Sequence, residues 1–257
     1  MNSKYEISTK ENREFLKASC EELLNFGHRF PSPNGGSYYL GDDGTPWKDR
    51  NRETWITCRM AHVYSLGLML GHEGSGELAD AALKGLKGEL HDEKNGGWYA
   101  GVTPEGDIVP NKQCYAHAFV ILAASSALTA GRPGAKELLE EALAVYDRHF
   151  WNEEEGLACD TWNTEFTVLD DYRGLNANMH TVEAFLAAGD VTGDKKYHIR
   201  AGRIIDHVIQ WAEDNSWRIP EHFTKEWAAD LDCNRDRPDD PFNHTARHQA
   251  MESNGQG

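Results

Sequence analysis

The chain is poor in the features that assign a protein quickly. Its five cysteines, Cys20, Cys58, Cys114, Cys159 and Cys233, are scattered, odd in number and without a CxxC pair. That gives no zinc signature and fits reduced thiols in a cytosol better than a disulfide frame. No stretch approaches the roughly 18 apolar residues of a membrane span, and Met1-Asn-Ser-Lys-Tyr-Glu6 lacks the apolar core of a signal peptide. The expected location is therefore cytoplasmic, with no membrane partner. Lys and Arg number 26 against 42 Asp and Glu, a formal net charge of -16. So acidic a chain is not expected to bind nucleic acid, whose affinity comes from clustered cations. No GxGxxG or Walker A phosphate loop is present, and neither GxSxG nor HExxH occurs.

What the chain has is aromatic residues and a repeat. Eight Trp, nine Tyr and nine Phe are many for an acidic chain, and aromatic walls suit sugar rings as well as cores. Gly- or aromatic-rich turn segments recur at Gly35–Gly44, Gly96–Gly106, Gly156–Trp162 and Asn215–Phe223, about 60 residues apart. Each reads as a short hairpin. Between them the apolar periodicity predicts helices over 9–27, 52–72, 76–90, 113–131, 134–150, 174–190 and 195–213, punctuated by Gly and Pro. Helix pairs alternating with hairpins are the plan of an all-α toroid of (α/α)6 type. A closed ring of six pairs needs roughly 360–400 residues at this period. The expectation is thus an incomplete ring of about seven helices with short β-hairpins.

Three helical segments carry polar groups where a core helix should be apolar. Asn176, His180 and Glu183 fall at i, i+4 and i+7, beside an apolar face of Met179, Val182, Phe185 and Leu186. A histidine between an amide and a carboxylate is either a proton-transfer station or a hydrogen-bonded core residue. Trp55, Arg59 and His62 repeat the spacing. Arg59 is either a guanidinium fork over an aromatic floor or half of a structural salt bridge, and His62 is read as a structural hydrogen-bonder. Tyr115 is a candidate ligand contact, His117 a satisfied core residue, and Trp98 a candidate wall of the cavity mouth. Asp170, Asp171 and Glu183 keep open a glycoside hydrolase, which needs two flanking carboxylates.

In chain order the sequence contains Trp55-Ile-Thr-Cys-Arg-Met60, His62-Val-Tyr-Ser65, Gly96-Gly-Trp-Tyr-Ala100, Lys112-Gln-x-Tyr115-x-His117, Tyr172-Arg-Gly-Leu-Asn-Ala-Asn-Met-His-Thr-Val-Glu-Ala-Phe185 and Glu221-His-Phe223. Together these resemble the N-acylglucosamine 2-epimerase superfamily over about residues 10–242, most closely its sulfoquinovose isomerase and mannose isomerase branch. The resemblance implies an (α/α)6 barrel that isomerises a free monosaccharide between aldose and ketose through a cis-enediol, with no metal and no cofactor. It implies that Arg59 binds sugar oxygens, that Tyr115 and Asn176 contact the substrate, that Trp55 lines the pocket, and that His180 is one of three active-site histidines. An N-acylglucosamine-type sugar 2-epimerase and a non-catalytic sugar-binding fragment are the alternatives. Neither the sugar nor the oligomeric state is readable.

The pattern breaks after Phe242. The family places its second histidine in a motif like P-x-G-x-T-P-G-H-x-x-E-W-x-R, whereas here the chain runs from Pro241 through His244 and His248 to Gly257. Degenerate codons for residues 243–257, read from the last base of the Asn243 codon, permit P-Y-G-x-T-P-G-H-G-V-E-W-x-R. The expectation is a partial barrel domain over 1–242, a frameshifted, non-homologous tail over 243–257, and impaired catalysis. Sequencing the coding DNA decides it: another frame should continue into P-G-H-x-x-E-W, and if none does the expectation fails.

Overall fold

The computed structural model describes Glu6 and residues 8–233. The expected tail, 243–257, lies outside the described residues. Seven helices are present among those described: α1 (Lys10–Gly27), α2 (Thr54–Met69), α3 (Ser75–Leu86), α4 (Cys114–Thr129), α5 (Ala135–His149), α6 (Leu175–Thr192) and α7 (Lys195–Asp214). Each coincides with one of the helices predicted from periodicity, to within a few residues. Helices α2, α4 and α6 pack side by side as an inner row, and α3, α5 and α7 back onto them one by one. This is the helix-pair plan expected from the sequence.

Neighbours explain composition. α4 is flanked by α2 and α6 and backed by α5, so it is buried almost all round, and its Ala116–Ala124 stretch is apolar on nearly every face. α2 and α6 each have α4 on one side only. They expose Val63 and Leu66, and Met179 and Leu186, respectively.

The strands among the described residues are all two residues long. β1 (Tyr39–Leu40) and β2 (Pro46–Trp47) form a hairpin. β3 (Arg52–Glu53) pairs with β4 (Gly101–Val102), which pairs with β5 (Ile108–Val109). β6 (Lys112–Gln113) leads into α4, and the hairpin of β7 (Trp151–Asn152) and β8 (Leu157–Ala158) follows α5. β9 (Thr161–Trp162) returns to β6, and β10 (Arg173–Gly174) pairs with β11 (His222–Phe223). The sequence reading expected hairpins closed on themselves and took Arg52–Glu53 as helix. Three local hairpins are present, β1–β2, β4–β5 and β7–β8, but β3, β6 and β10 each pair with a strand about 50 residues later, in the next repeat.

These cross-repeat pairs set where the inner helices begin. None of the three has a side-chain N-cap bond. The first N–H of each is instead taken by a carbonyl of the next repeat: Thr54 by Ala100 at 3.0 Å, Cys114 by Asp160 at 2.7 Å, Leu175 by Glu221 at 2.9 Å. Three residues into each helix, a polar side chain anchors the preceding hairpin. Thr57 Oγ1 accepts the Ser37 N–H at 3.0 Å, His117 Nε2 that of Trp98 at 3.1 Å, and Asn178 Oδ1 that of Ala158 at 2.9 Å. The repeat is thus conserved within the chain as a hydrogen-bond plan, although the residue types differ.

Asp160 makes this plan sensitive to pH. Its Oδ2 accepts the Gly174 N–H at 2.7 Å, directly before α6. Burial raises its carboxyl to about 7, against the opposing pull of the Gly174 N–H and Arg173. Unfolded, the group ionises near the ordinary carboxylate value. Between about pH 4 and 7 the folded chain holds a proton that the unfolded chain has released, so this group's contribution to stability falls as pH rises. Asp160→Asn keeps an oxygen acceptor and removes that slope. Urea unfolding at pH 5 and pH 8 should show the variant gaining a few kcal/mol on the wild type at the higher pH.

Candidate active site

The repeat superposes three triplets on the inner row: Trp55, Tyr115 and Asn176; Arg59, Phe119 and His180; His62, Leu122 and Glu183. Each triplet holds one residue from each of α2, α4 and α6, and the triplets lie one helical turn apart.

Four of the five residues singled out from the sequence meet here. The Arg59 guanidinium lies 5.0 Å from the Trp55 ring centroid and 4.8 Å from that of Phe119, and its Nη2 donates to Tyr115 Oη at 3.3 Å. The Tyr115 ring meets Trp55, Phe119 and His180 edge to face, with centroids 6.0, 5.0 and 5.1 Å away. The His180 and Phe119 centroids are 4.5 Å apart. Arg59 has no carboxylate within ion-pair distance among the described residues, so the structural salt bridge is not formed there, and its exposed guanidinium keeps donors for a ligand. Asn176 stands at the same edge, exposed in the first turn of α6, with no side-chain hydrogen bond to the described residues.

Trp55 is held from behind. Its Nε1 donates to Glu53 Oε2 at 2.6 Å, and Tyr39 Oη donates to the same oxygen. Burial, then the Glu53 carboxylate, pushes the Tyr39 phenol up, and burial raises Tyr115 despite the opposing Arg59 charge. Both phenols are therefore neutral donors at physiological pH. The sequence reading missed Phe119, Glu53 and Tyr39. Phe119 was accessible, because it stands about 60 residues after Arg59 and before His180.

The histidines divide by their partners. His117 Nδ1 is 2.7 Å from the Gln113 carbonyl, and Nε2 accepts from Trp98. With Nδ1–H donating and Nε2 accepting, the ring is neutral, and burial pushes its pKa down to about 3. It is a core residue, as expected. His62 Nδ1 is 2.7 Å from Ser126 Oγ, and burial lowers its pKa while Glu183 acts to raise it. His180 differs: Nδ1 is 2.9 Å from Glu183 Oε2, its side chain is 15% exposed, and Nε2 has no protein hydrogen bond among the described residues.

One expectation needs correction. Trp98 does not wall a cavity mouth. It is fully buried, with Nε1 on the Leu86 carbonyl at 2.7 Å, because its hairpin is pulled inward by His117. Asp170 is spent on the Tyr172 N–H through Oδ1 at 2.8 Å, and its carbonyl takes Arg173 Nη1 at 2.6 Å. Neither it nor Asp171 is among the hydrogen-bond or ion-pair partners of Glu183 or His180.

A model of the N-acylglucosamine 2-epimerase (GlcNAc 2-epimerase) family matches residues 35–250. The chain belongs to the N-acylglucosamine 2-epimerase family. The site triplets and all three inner helices fall inside the matched span. A D-mannose isomerase of Thermobifida fusca is 42% identical over 233 residues, covering 90% of this chain and 57% of that protein. A D-mannose isomerase of Pseudomonas cannabina pv. alisalensis is 38% identical over 246 residues, covering 94% and 59%. The chain thus spans less than two thirds of the length of either relative. A crystal structure of a D-mannose isomerase superposes with a TM-score of 0.83 at 28% identity, covering 92% of this chain and 62% of the other. The cellobiose 2-epimerase of Bacillus thermoamylovorans B4167, at 22% identity and TM-score 0.76, covers 86% and 62% and shares the fold. The family's (α/α)6 fold accounts for the inner and outer helix rows. No helix among the described residues is long and apolar enough to cross a membrane.

Proposed function

We propose that the chain acts on a free monosaccharide as an aldose–ketose isomerase of D-mannose type, in the cytoplasm. The observation that carries this reading is the cluster of Trp55, Arg59, Tyr115 and His180, which joins an aromatic floor, a cation with spare donors, a neutral phenol and an imidazole. The names of the relatives in the family supply the sugar class.

The reaction needs those parts. A base removes the proton from C2 of the open-chain aldose. The C–H electron pair becomes the C1–C2 double bond, and O1 takes a proton to give a cis-enediol. The O2 proton then leaves as C2=O forms, and C1 accepts a proton to yield the ketose. Imidazole titrates near neutrality and suits either transfer. Arg59 and Tyr115 offer N–H and O–H donors to the oxygens on which charge develops, Asn176 offers an amide to a hydroxyl, and Trp55 offers a ring face to the sugar.

The test is incubation of the chain with D-mannose in D2O, followed by NMR. Ketose carrying deuterium at C1, with deuterium at C2 of the remaining mannose, is the expected result. Deuterium at C2 with glucose formed and no ketose would make the chain a 2-epimerase. Measurable sugar binding without exchange would leave a binding protein and overturn the enzyme reading. Arg59→Ala should weaken mannose binding about 10- to 100-fold by calorimetry, the value of charge-assisted hydrogen bonds lost from one side.

A further inference from the structure

We infer that Glu183 is the positioning residue of the site: it fixes the tautomer of His180 and so determines that Nε2 carries the reactive lone pair. The inference rests on the isomerase reading for its purpose, although its geometry stands without it. Glu183 Oε2 lies 2.9 Å from His180 Nδ1, one turn further along α6. An ionised carboxylate can only accept, so Nδ1 is the protonated nitrogen and Nε2 the acceptor. The same carboxylate stabilises the imidazolium that forms when Nε2 takes a proton.

Comparison within the repeat supports a dedicated role. The positions equivalent to His180 are Arg59 and Phe119, and those equivalent to Glu183 are His62 and Leu122. The His–Glu pair therefore occurs on α6 alone among the inner helices, and the repeat architecture does not need it. His117 shows how a structural histidine is held in this fold: backbone groups take both its nitrogens, the Gln113 carbonyl and the Trp98 N–H. His180 gives one nitrogen to a half-exposed carboxylate and leaves the other without a protein partner among the described residues. Tyr115 and Phe119 pack on the ring and restrict its rotation.

The test reads the tautomer directly. The 257-residue chain is labelled with 15N-histidine, and two-bond N–H correlations are recorded at mildly alkaline pH. His180 should be mainly Nδ1–H. Glu183→Ala should shift its tautomer ratio toward Nε2–H, the form favoured by a free histidine side chain, by about tenfold. Glu183→Gln, whose amide oxygen can still accept from Nδ1–H, should shift it less. His117 serves as the internal control, and its Nδ1–H signature should stay unchanged in every variant if the fold is intact. A wild-type His180 that is mainly Nε2–H, or a ratio unmoved by Glu183→Ala, overturns the inference. Where exchange from mannose is measurable, Glu183→Ala should lower kcat with little change in KM. Absence of exchange in the wild type would overturn the isomerase reading and leave the tautomer measurement to decide the role of Glu183.

Discussion

Lys112→Met is expected to lower the folding free energy by about 3–5 kcal/mol. Lys112 and Asp92 are both fully buried, with Nζ 2.8 Å from Asp92 Oδ2 and 2.8 Å from the Gly96 carbonyl. The ammonium also lies 4.6 Å from the Tyr99 ring centroid. Burial acts to raise the Asp92 carboxyl, but the Lys112 and Asn95 donors outweigh it and hold the group well below the usual carboxylate range. Its contribution to stability is therefore present above about pH 4 and lost as pH falls below that value. Removing the lysine strands a buried carboxylate, whose compensation is then limited to the N–H groups of Lys94 and Asn95 and the Asn95 amide. The repeat supplies a control. Arg52 holds the equivalent place before α2, but its partner Glu89 is 36% exposed, so Arg52→Met should cost about 1 kcal/mol. Denaturant titrations of the two variants should differ several-fold in free-energy loss. Equal losses would mean that burial does not govern these pairs. Against a total stability of about 5–15 kcal/mol, the Lys112 change should lower the denaturation midpoint clearly.

Such pairs also mark where the sequence could be read and where it could not. The helices were legible because apolar periodicity, Gly punctuation and a period of about 60 residues agree with one another. The cross-repeat strands were not, because two residues carry no alternation. Arg52, Lys112 and Arg173 look like ordinary surface cations until the next repeat folds over them and buries them. The fate of Trp98 depended on the same packing. His117 and His180 are both helical histidines in an aromatic setting, and only their partners separate them. Those partners are the Trp98 N–H, from a hairpin, and Glu183, three residues along the same helix. The first is a long-range contact that no local pattern encodes. The second is local, so Glu183 stood on the sequence stripe from the start. Arg59 and Trp55 were named from helical spacing and Tyr115 from its place at a helix start, before the motif strings. Their mutual contacts follow from the regular spacing of the inner helices, which carries equivalent residues to the same height.

His180→Gln should reduce deuterium exchange at C2 of mannose by about 10²- to 10⁴-fold, the range for loss of a positioned general acid or base, while changing stability little. The side chain makes one hydrogen bond, to a carboxylate that is itself 51% exposed, so little desolvation is at stake when it goes. His117→Gln should behave in the opposite way. That ring is completely enclosed, bridges two backbone groups and packs within 4.6 Å of Phe150, centroid to centroid. Its loss should cost about 2–4 kcal/mol through broken buried hydrogen bonds and a packing defect, and lower activity only as far as it lowers the folded fraction. Exchange rates normalised to folded protein, measured by NMR and circular dichroism on the same samples, distinguish the two. If both variants lose exchange in proportion to folded fraction, His180 is structural and the proton must move through another group. If His180→Gln alone loses normalised exchange, the chemistry belongs to the histidine whose Nε2 has no partner in the described fold, and the fully bonded one belongs to the scaffold that sets α4 beside it.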